Sequence, residues 1–436
     1  MLRINQTFRR DHSHILRCFS DLSASKQDKK NDNNNGIDPR VWPIATSTFI
    51  TGSAIGVALP VMPLFAAELG LSTAEFGLVG STFGAARLLS NPPLALLSEH
   101  VGRRQFLTWG PGITALSMVG TGLSGSLTAL LGWRVLSGVG GSMQMTGGQL
   151  YLSDISKPEN RARTMAPMTA AFSAGASIGP AIGGVLATQF GIAPCFYYVG
   201  GAIAVTGMMN FFLLPETKSH SEEDGVKNKS ISETWQTWVR LSKDKNVRLI
   251  MLSHVAHWCT ISGSQFTLMP LLASQELGMT PAGIGSIFAM VSAINVVGSQ
   301  LSAQVSDRFG RRLTIIPGLS LITVAVGCVP LVQDGTQLTA LMACWAVGSA
   351  FVSTGPTAYM LDVVAPGDRD QALAMLRACG DMGLLIGAGS LGSLAHATSM
   401  QTGFWVNSIG MAVTTLNIAL NATEPKREVT EQTKLK

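Results

Sequence analysis

The stretch that decides the reading is Asp307-Arg-Phe-Gly-Arg-Arg312, because it is a second copy of Glu99-His-Val-Gly-Arg-Arg104 at an offset of 208 residues. The same offset carries Glu68-Leu69-Gly70 onto Glu276-Leu277-Gly278, and Gly77 onto Gly285. It carries Tyr151 onto Tyr359, Asp154 onto Asp362, Pro158 onto Pro366 and Arg161 onto Arg369. Gly175 and Gly179 return as Gly383 and Gly387. A single offset held over so much chain means two copies of one unit, and that unit is far longer than a solenoid repeat.

Outward from these clusters the sequence is apolar. Of 436 residues 46% are hydrophobic and 13% charged, against roughly 25% charged in a soluble domain. A helix crossing a bilayer needs about 20 mostly apolar residues. Runs of this kind are expected at 44–67, 75–98, 104–124, 127–151, 164–190 and 194–214. The second half gives 247–275, 282–306, 312–333, 336–362, 370–397 and 401–421. A soluble helical protein is excluded, since twelve such runs leave too little polar surface to face water. The runs are continuous rather than alternating, which favours helices over a barrel. The fold expected is an all-α membrane protein of twelve transmembrane helices in two pseudo-symmetric six-helix bundles. Glycines inside the runs, as in Gly138-Val-Gly-Gly141, suit close helix packing.

Basic residues set the expected topology. Every Lys and Arg except Arg87, Arg134 and Arg377 falls in the tails, the central loop or the even-numbered loops and the span ends beside them. None falls in the odd-numbered loops. This positive-inside bias puts both termini on the cytoplasm-like side. The net charge of +5 follows from that bias and does not call for nucleic acid. The expected organisation is a tail over 1–43, a bundle over 44–214, an inner loop over 215–246, a bundle over 247–421 and a tail over 422–436. Within the loop, Ile231 to Trp238 suits a short surface helix. Sequons at Asn5, Asn228 and Asn421 map to the inner side and are expected to carry no glycan. The six scattered cysteines lack metal spacing. No metal, cofactor or enzymatic motif is visible.

The first forty residues allow two readings. Arg3, Arg10 and Arg17 share one helical face, and Ile4, Phe8, Ile15 and Phe19 another, as in a mitochondrial transit peptide. An ordinary cytoplasmic tail is the other. The location is therefore an integral membrane with both termini inside, or a mitochondrial or other organellar inner membrane.

Four patterns make the chain resemble the major facilitator superfamily, and its drug:proton antiporter branch in particular. First are the two loop clusters, whose Glu99, Gly102, Arg103 and Arg104, and Asp307, Arg308, Gly310, Arg311 and Arg312, are similar to the family's loop signature. They read as a conformational latch: a carboxylate pairs with Arg or sits at a helix N-terminus, and Gly permits the turn. The alternative is that the arginines only anchor topology. Second is Arg134-Val-Leu-Ser-Gly138, similar to the family's buried-Arg motif. Met342 stands at the equivalent position in the second half, so this Arg belongs to one half only. The resemblance implies proton coupling or substrate orientation for it. Third is the span holding Gly175, Gly179, Pro180, Gly183 and Gly184, which resembles the antiporter signature. Pro180 lacks a backbone donor and bends a helix, while the glycines form a smooth packing stripe. Fourth is Leu214-Pro-Glu-Thr217 at the end of the first bundle.

Ionisable groups inside a membrane are candidates for function. Arg87, Arg134, Arg377 and Asp381 are these candidates, with Gln144 beside them. Arg377 and Asp381 lie four apart and are placed to pair along one helix face. Otherwise Asp381 is a proton-coupling carboxylate. Asn91, Gln149, His254, His257, Gln265, Asn295 and Gln300 are further cavity or packing candidates. Three Arg against one Asp would favour an anionic substrate. The resemblance implies a secondary active transporter of a small organic solute, working as a monomer in the lipid bilayer by alternating access, with protons in antiport. The alternatives are a facilitator or symporter of an organic anion or metabolite, and a non-transporting sensor of the same fold.

Overall fold

The computed structural model describes residues 38–156, 160–217 and 231–424, excepting the side chains of Glu99, His100 and a few other residues. The proposed targeting segment, Asn5, Asn228 and most of both tails lie outside them. Six helices form the first half: α1 (Val41–Glu68), α2 (Thr73–Val101), α3 (Arg103–Gly122), α4 (Leu127–Asp154), α5 (Arg161–Phe190) and α6 (Ile192–Leu213). The short helix α7 (Ile231–Leu241) follows. The second half opens with one rod made of α8 (Lys245–Thr260), a π-helical segment (Ile261–Leu268) and α9 (Met269–Gln275). It continues with α10 (Pro281–Phe309), α11 (Arg312–Cys328), α12 (Gly335–Val363), α13 (Arg369–Ala397) and α14 (Met400–Asn421).

Counting residues 245–275 as one rod, the described chain contains twelve long helical rods, six per half. Eight helices are long and apolar enough to cross a membrane. The other four rods are α2, α3, α4 and residues 245–275. Ionised or small polar residues dilute the hydropathy of the first three, and the π segment divides the last. On α14 an exposed apolar stripe of Ile409, Val413, Leu416 and Leu420 supplies a lipid-facing surface, recurring at helical spacing.

Local chemistry sets the boundaries. Ser72 and Glu75 form a reciprocal capping box at the start of α2, which satisfies donors that a helix N-terminus leaves open. Asp244, Thr280, Asp334 and Ser399 each accept from the first turn of α8, α10, α12 and α14. α5 continues as one helix through Pro167 and Pro180.

The glycine stripe of α5 packs on α1. A Cβ on Gly183 would fall 2.8 Å from the Val57 carbonyl, and Gly175 and Gly179 lie against the carbonyls of Phe49 and Ser53. In the second half Gly383 and Gly387 lie against the carbonyls of Val255 and Cys259 on α8. These partners are offset by 206 residues from Phe49 and Ser53, whereas Glu68 and Glu276 are offset by 208. Two extra residues therefore enter the second half between Cys259 and Glu276, where the π segment lies. A π turn is how a helix takes in added residues without breaking.

The halves meet through α2 against α13 and α5 against α10, with α1 touching the rod of residues 245–275 and α10. Close approaches lie at the end away from the Arg clusters. Gly80 faces the Ala388 side chain, Gly392 lies against Gly77, and Gly184 lies against Gly285. Ser81 also donates to the Leu385 carbonyl at 2.6 Å. Toward the basic end α5 leaves Ala166, Thr169, Ala170 and Ser173 exposed. That face is small and polar, unlike the lipid face of α14. The halves thus part toward the basic end.

Candidate functional site

Two constellations hold the ionised side chains. The first is a joint at the basic end, built twice. In the first half Gly102 takes φ +106°, a region open chiefly to glycine, and turns the chain from α2 into α3. The Glu216 carboxylate then accepts from the Arg103 and Arg104 backbone amides at 2.9 and 3.2 Å. The Arg103 guanidinium bonds Asp154 at 3.3 Å and the Ser98 carbonyl at 2.6 Å. Arg104 donates to the Phe211 carbonyl and lies over its ring.

The second half repeats this arrangement on residues 208 positions further on, with differences in the side-chain atoms that meet. Gly310 has φ +108°, and Glu424 accepts from the Arg311 and Arg312 amides at 2.5 and 3.0 Å. Arg311 bonds Asp362 at 2.8 Å, Ser306 at 3.0 Å and Asp307 at 2.5 Å. Arg312 donates to the Ala419 carbonyl at 2.8 Å. Apart from Asp307, whose counterpart Glu99 has its side chain outside the described ones, each partner in one half is 208 residues from its counterpart. Each glutamate places negative charge at the N-terminus of α3 or α11, where the helix dipole favours it.

In sequence the Leu214-Pro-Glu-Thr217 pattern reads only as a terminus, and Glu424 stands in no motif of its own. The 208-residue offset links Glu216 to Glu424 and was the signal available. Both joints lie wholly within a half, so in this conformation their Arg–Asp pairs brace each bundle internally. Arg308 stacks beside Phe309. The Glu99 side chain lies outside the described ones.

The second constellation crosses between the halves in the middle of the spans. Arg87 on α2 places Nε 3.1 Å from Asp381 Oδ1 on α13, with the carboxylate side chain 5% exposed and the arginine 32%. Asn91, one turn along α2, donates to the other carboxylate oxygen at 2.9 Å. Pairing along the α13 face, with Arg377 as partner of Asp381, is not what forms. Arg377 reaches across to Gln149 on α4 at 2.7 Å. The physical reason is proximity of the opposite half: α2 packs against α13 and offers a cation and an amide together.

Arg134 stands beside this cluster. Its guanidinium lies 4.6 Å from the Phe83 ring centroid and that of Arg87 5.8 Å from the same ring. Gly138 explains the spacing of the motif. A Cβ there would sit 2.7 Å from the Ala86 side chain and 3.1 Å from the Phe83 carbonyl. Glycine thus lets α4 close on α2 and brings Arg134, one turn earlier, onto Phe83. The Arg134 Nε is buried without a hydrogen-bond partner.

The remaining candidates fall elsewhere. Gln144 donates to Ser47 at 3.0 Å and accepts from Thr51 at 2.8 Å. Asn210 donates to the same Ser47 hydroxyl and to the Leu107 carbonyl. Gln144 is thus held by both ends of its amide in the first bundle, away from the ionised cluster. His254 accepts from Trp258 at 3.1 Å, and Asn407 ties Thr260 to Ser264 along the π segment. Among the described residues no group of three His, Cys, Asp or Glu could hold a metal ion.

Twelve helical rods, a junction repeated in both halves and an inter-half ionic contact define a membrane transporter fold. The profile of the Major Facilitator Superfamily matches residues 44–264 and 259–436, and the chain belongs to that family. It is 23% identical over 361 residues to an uncharacterised MFS-type transporter of Methanocaldococcus jannaschii, covering 82% of this chain and 92% of that one. It is 25% identical over 304 residues to multidrug resistance protein 2 of Bacillus subtilis, covering 69% and 75%. The quinolone resistance protein NorA of Staphylococcus aureus is 24% identical over 182 residues, 42% of this chain and 47% of that one. Among solved structures, a bacterial homologue of the human lysosomal transporter Spinster, inward-facing and unoccupied, matches with TM-score 0.71 at 16% identity. The match covers 89% of this chain and 96% of that one. The nucleoside transporter NupG matches with TM-score 0.71 at 14% identity, over 88% and 100%.

Proposed function

We propose that this chain is a secondary active transporter of a small organic solute, working by alternating access and coupled to protons in the direction of efflux. The observation that carries the reading is the Arg87–Asp381–Asn91 contact, a mid-membrane carboxylate held between the halves. Protonating Asp381 removes its charge and loosens the contact, so proton uptake and separation of the halves become one event. Efflux is supported by the similarity to multidrug resistance protein 2 and NorA. The basic end is read as cytoplasmic from the positive-inside bias, so the arrangement described above is inward-facing. The latch residues are read as stiffening each half while the two rock about a central site.

A second reading rests on Arg134, whose buried Nε has no partner. Three intramembrane arginines outnumber one intramembrane carboxylate, which favours an organic anion moved by facilitation or symport.

The deciding experiment reconstitutes the purified chain in vesicles and follows flux of candidate solutes with and without an imposed pH gradient. Antiport gives solute movement that drives protons the opposite way. Flux indifferent to the gradient gives the facilitator, and no flux with any solute gives the sensor. A Gly80→Cys/Ala388→Cys pair adds a mechanical check, because the Gly80 Cβ position lies 2.8 Å from Ala388 Cβ, and a small shift brings it to bonding range. Oxidation is expected to stop flux and reduction to restore it.

A further inference from the structure

A groove of about 570 Å³ runs along α8 where α13 and α14 pack beside it. Its character changes with depth. At the basic end it is lined by Ser242, Lys245, Arg248 and Asn421, and further along by Leu252, Val255 and Met382. From Lys245 to Val255 is ten residues of helix, or about 15 Å, half the thickness of a hydrocarbon core. The deep limb is open to the surroundings: Leu252 is 49% and Met382 38% exposed.

Among the described residues no carboxylate pairs with the charges at the mouth. Lys245 and Arg248 are exposed and, among the described residues, form no ion pair. The adjacent carboxylate, Asp244, is turned into the helix, accepting from the Asn246 and Val247 amides at 2.8 and 3.1 Å. The neighbouring cation Arg240 is held by Asp368 at 2.7 Å, so it does not compete for a ligand. Asn421 donates to Asn417 at 2.9 Å, presenting amide polarity on the α14 side of the mouth.

The level of the membrane surface is marked by α7. Its Trp235 is 65% exposed, and Trp238 donates to Gln371 in the first turn of α13 at 3.2 Å. Tryptophans collect where headgroups meet hydrocarbon, and α7 ends next to Ser242. The cations of the groove thus stand at headgroup depth and its apolar limb at acyl-chain depth.

We propose that this groove is a seat for an anionic phospholipid of the leaflet at the basic end. Its phosphate lies between Lys245 and Arg248, and one acyl chain runs along Leu252, Val255 and Met382. A soluble anion would leave the apolar limb empty, and a zwitterionic lipid would leave the cations unneutralised. Basic pockets between transmembrane helices bind anionic headgroups by this logic. The seat touches α13 at Cys379 and Met382, on either side of Gly380 and Asp381, so its occupant bears on the helix that carries the inter-half carboxylate. The inference does not depend on the direction or coupling of transport.

The test uses the full chain, purified and offered phosphatidylcholine with and without phosphatidylglycerol. Retained lipid is read by native mass spectrometry and stability by thermal melting. Phosphatidylglycerol is expected to be retained in preference and to raise the melting temperature. Lys245→Gln/Arg248→Gln is expected to lower that preference about ten-fold, with melting in phosphatidylcholine unchanged. Leu252→Trp, which fills the apolar limb and keeps both cations, is expected to lose retention as well. An undiminished preference in either variant overturns the proposal. So does equal protection by glycerol phosphate alone, which has the headgroup charge and no chain.

Discussion

Glu216 and Glu424 occupy the same place in two halves of one chain, each clasping the first two amides of the helix that follows a left-handed glycine. The correspondence extends to Asp154 and Asp362 and to the carbonyls of Phe211 and Ala419, so the joint is a unit carried by the duplication. Removing one glutamate's charge should weaken its own half only. Glu424→Gln is expected to cost about 1–2 kcal/mol, the range for a charge-assisted bond at a helix N-terminus. Glu216→Gln should cost the same within error. Thermal melting of the two single variants and the double in one lipid checks this, and additivity is expected because the sites share no partner.

The glycines of the joint permit a sharper comparison. A Cβ on Gly102 would lie 2.6 Å from Glu216 Oε2 and on Gly310 2.7 Å from Glu424 Oε1, both at positive φ. Gly102→Ala and Gly310→Ala are each expected to destabilise by about 1–3 kcal/mol. Gly141→Ala and Gly410→Ala, with nothing within 4 Å of the added atom, should be neutral or slightly stabilising. Equal melting temperatures for the two sets would contradict the joint as described.

Between the halves, the pairing of Arg87 and Asp381 predicts an ordering of variants. Arg87→Leu leaves a buried carboxylate beside one amide and is expected to be the most damaging single change, at about 3–5 kcal/mol. Arg87→Leu/Asp381→Leu removes both charges and should melt closer to the parent than Arg87→Leu does. Asp381→Asn is expected to keep the fold and lose the dependence of flux on a proton gradient. Retained proton coupling in Asp381→Asn would move the coupling group elsewhere.

Much of this was written in the sequence. Hydropathy and the 208-residue offset located the twelve helices, because a membrane demands long apolar runs and a duplication repeats its glycines and charges in register. The four ionised residues inside the spans stood out for the same reason. What the sequence left open was partnership. Arg377 four residues before Asp381 suggests a pair on one helix, and only the approach of α2 shows that Arg87 and Asn91 take that carboxylate. Gln144 had the chemistry of a cavity residue, yet its partners Ser47 and Thr51 lie on α1, nearly a hundred residues earlier. The local slip from 208 to 206 along α8 is visible only once Gly383 and Gly387 are seen against Val255 and Cys259. Helical periodicity alone carries no mark of a π turn.

That slip has a bearing on how the two bundles can move. The added residues are confined to the stretch between Cys259 and Glu276, beyond which the register of 208 returns and Gly278 at φ +62° answers Gly70 at φ +70°. The molecule is a mirror with one warped pane. Any rocking cycle built on it starts from two unlike leading helices, one α-helical throughout and one carrying a π segment.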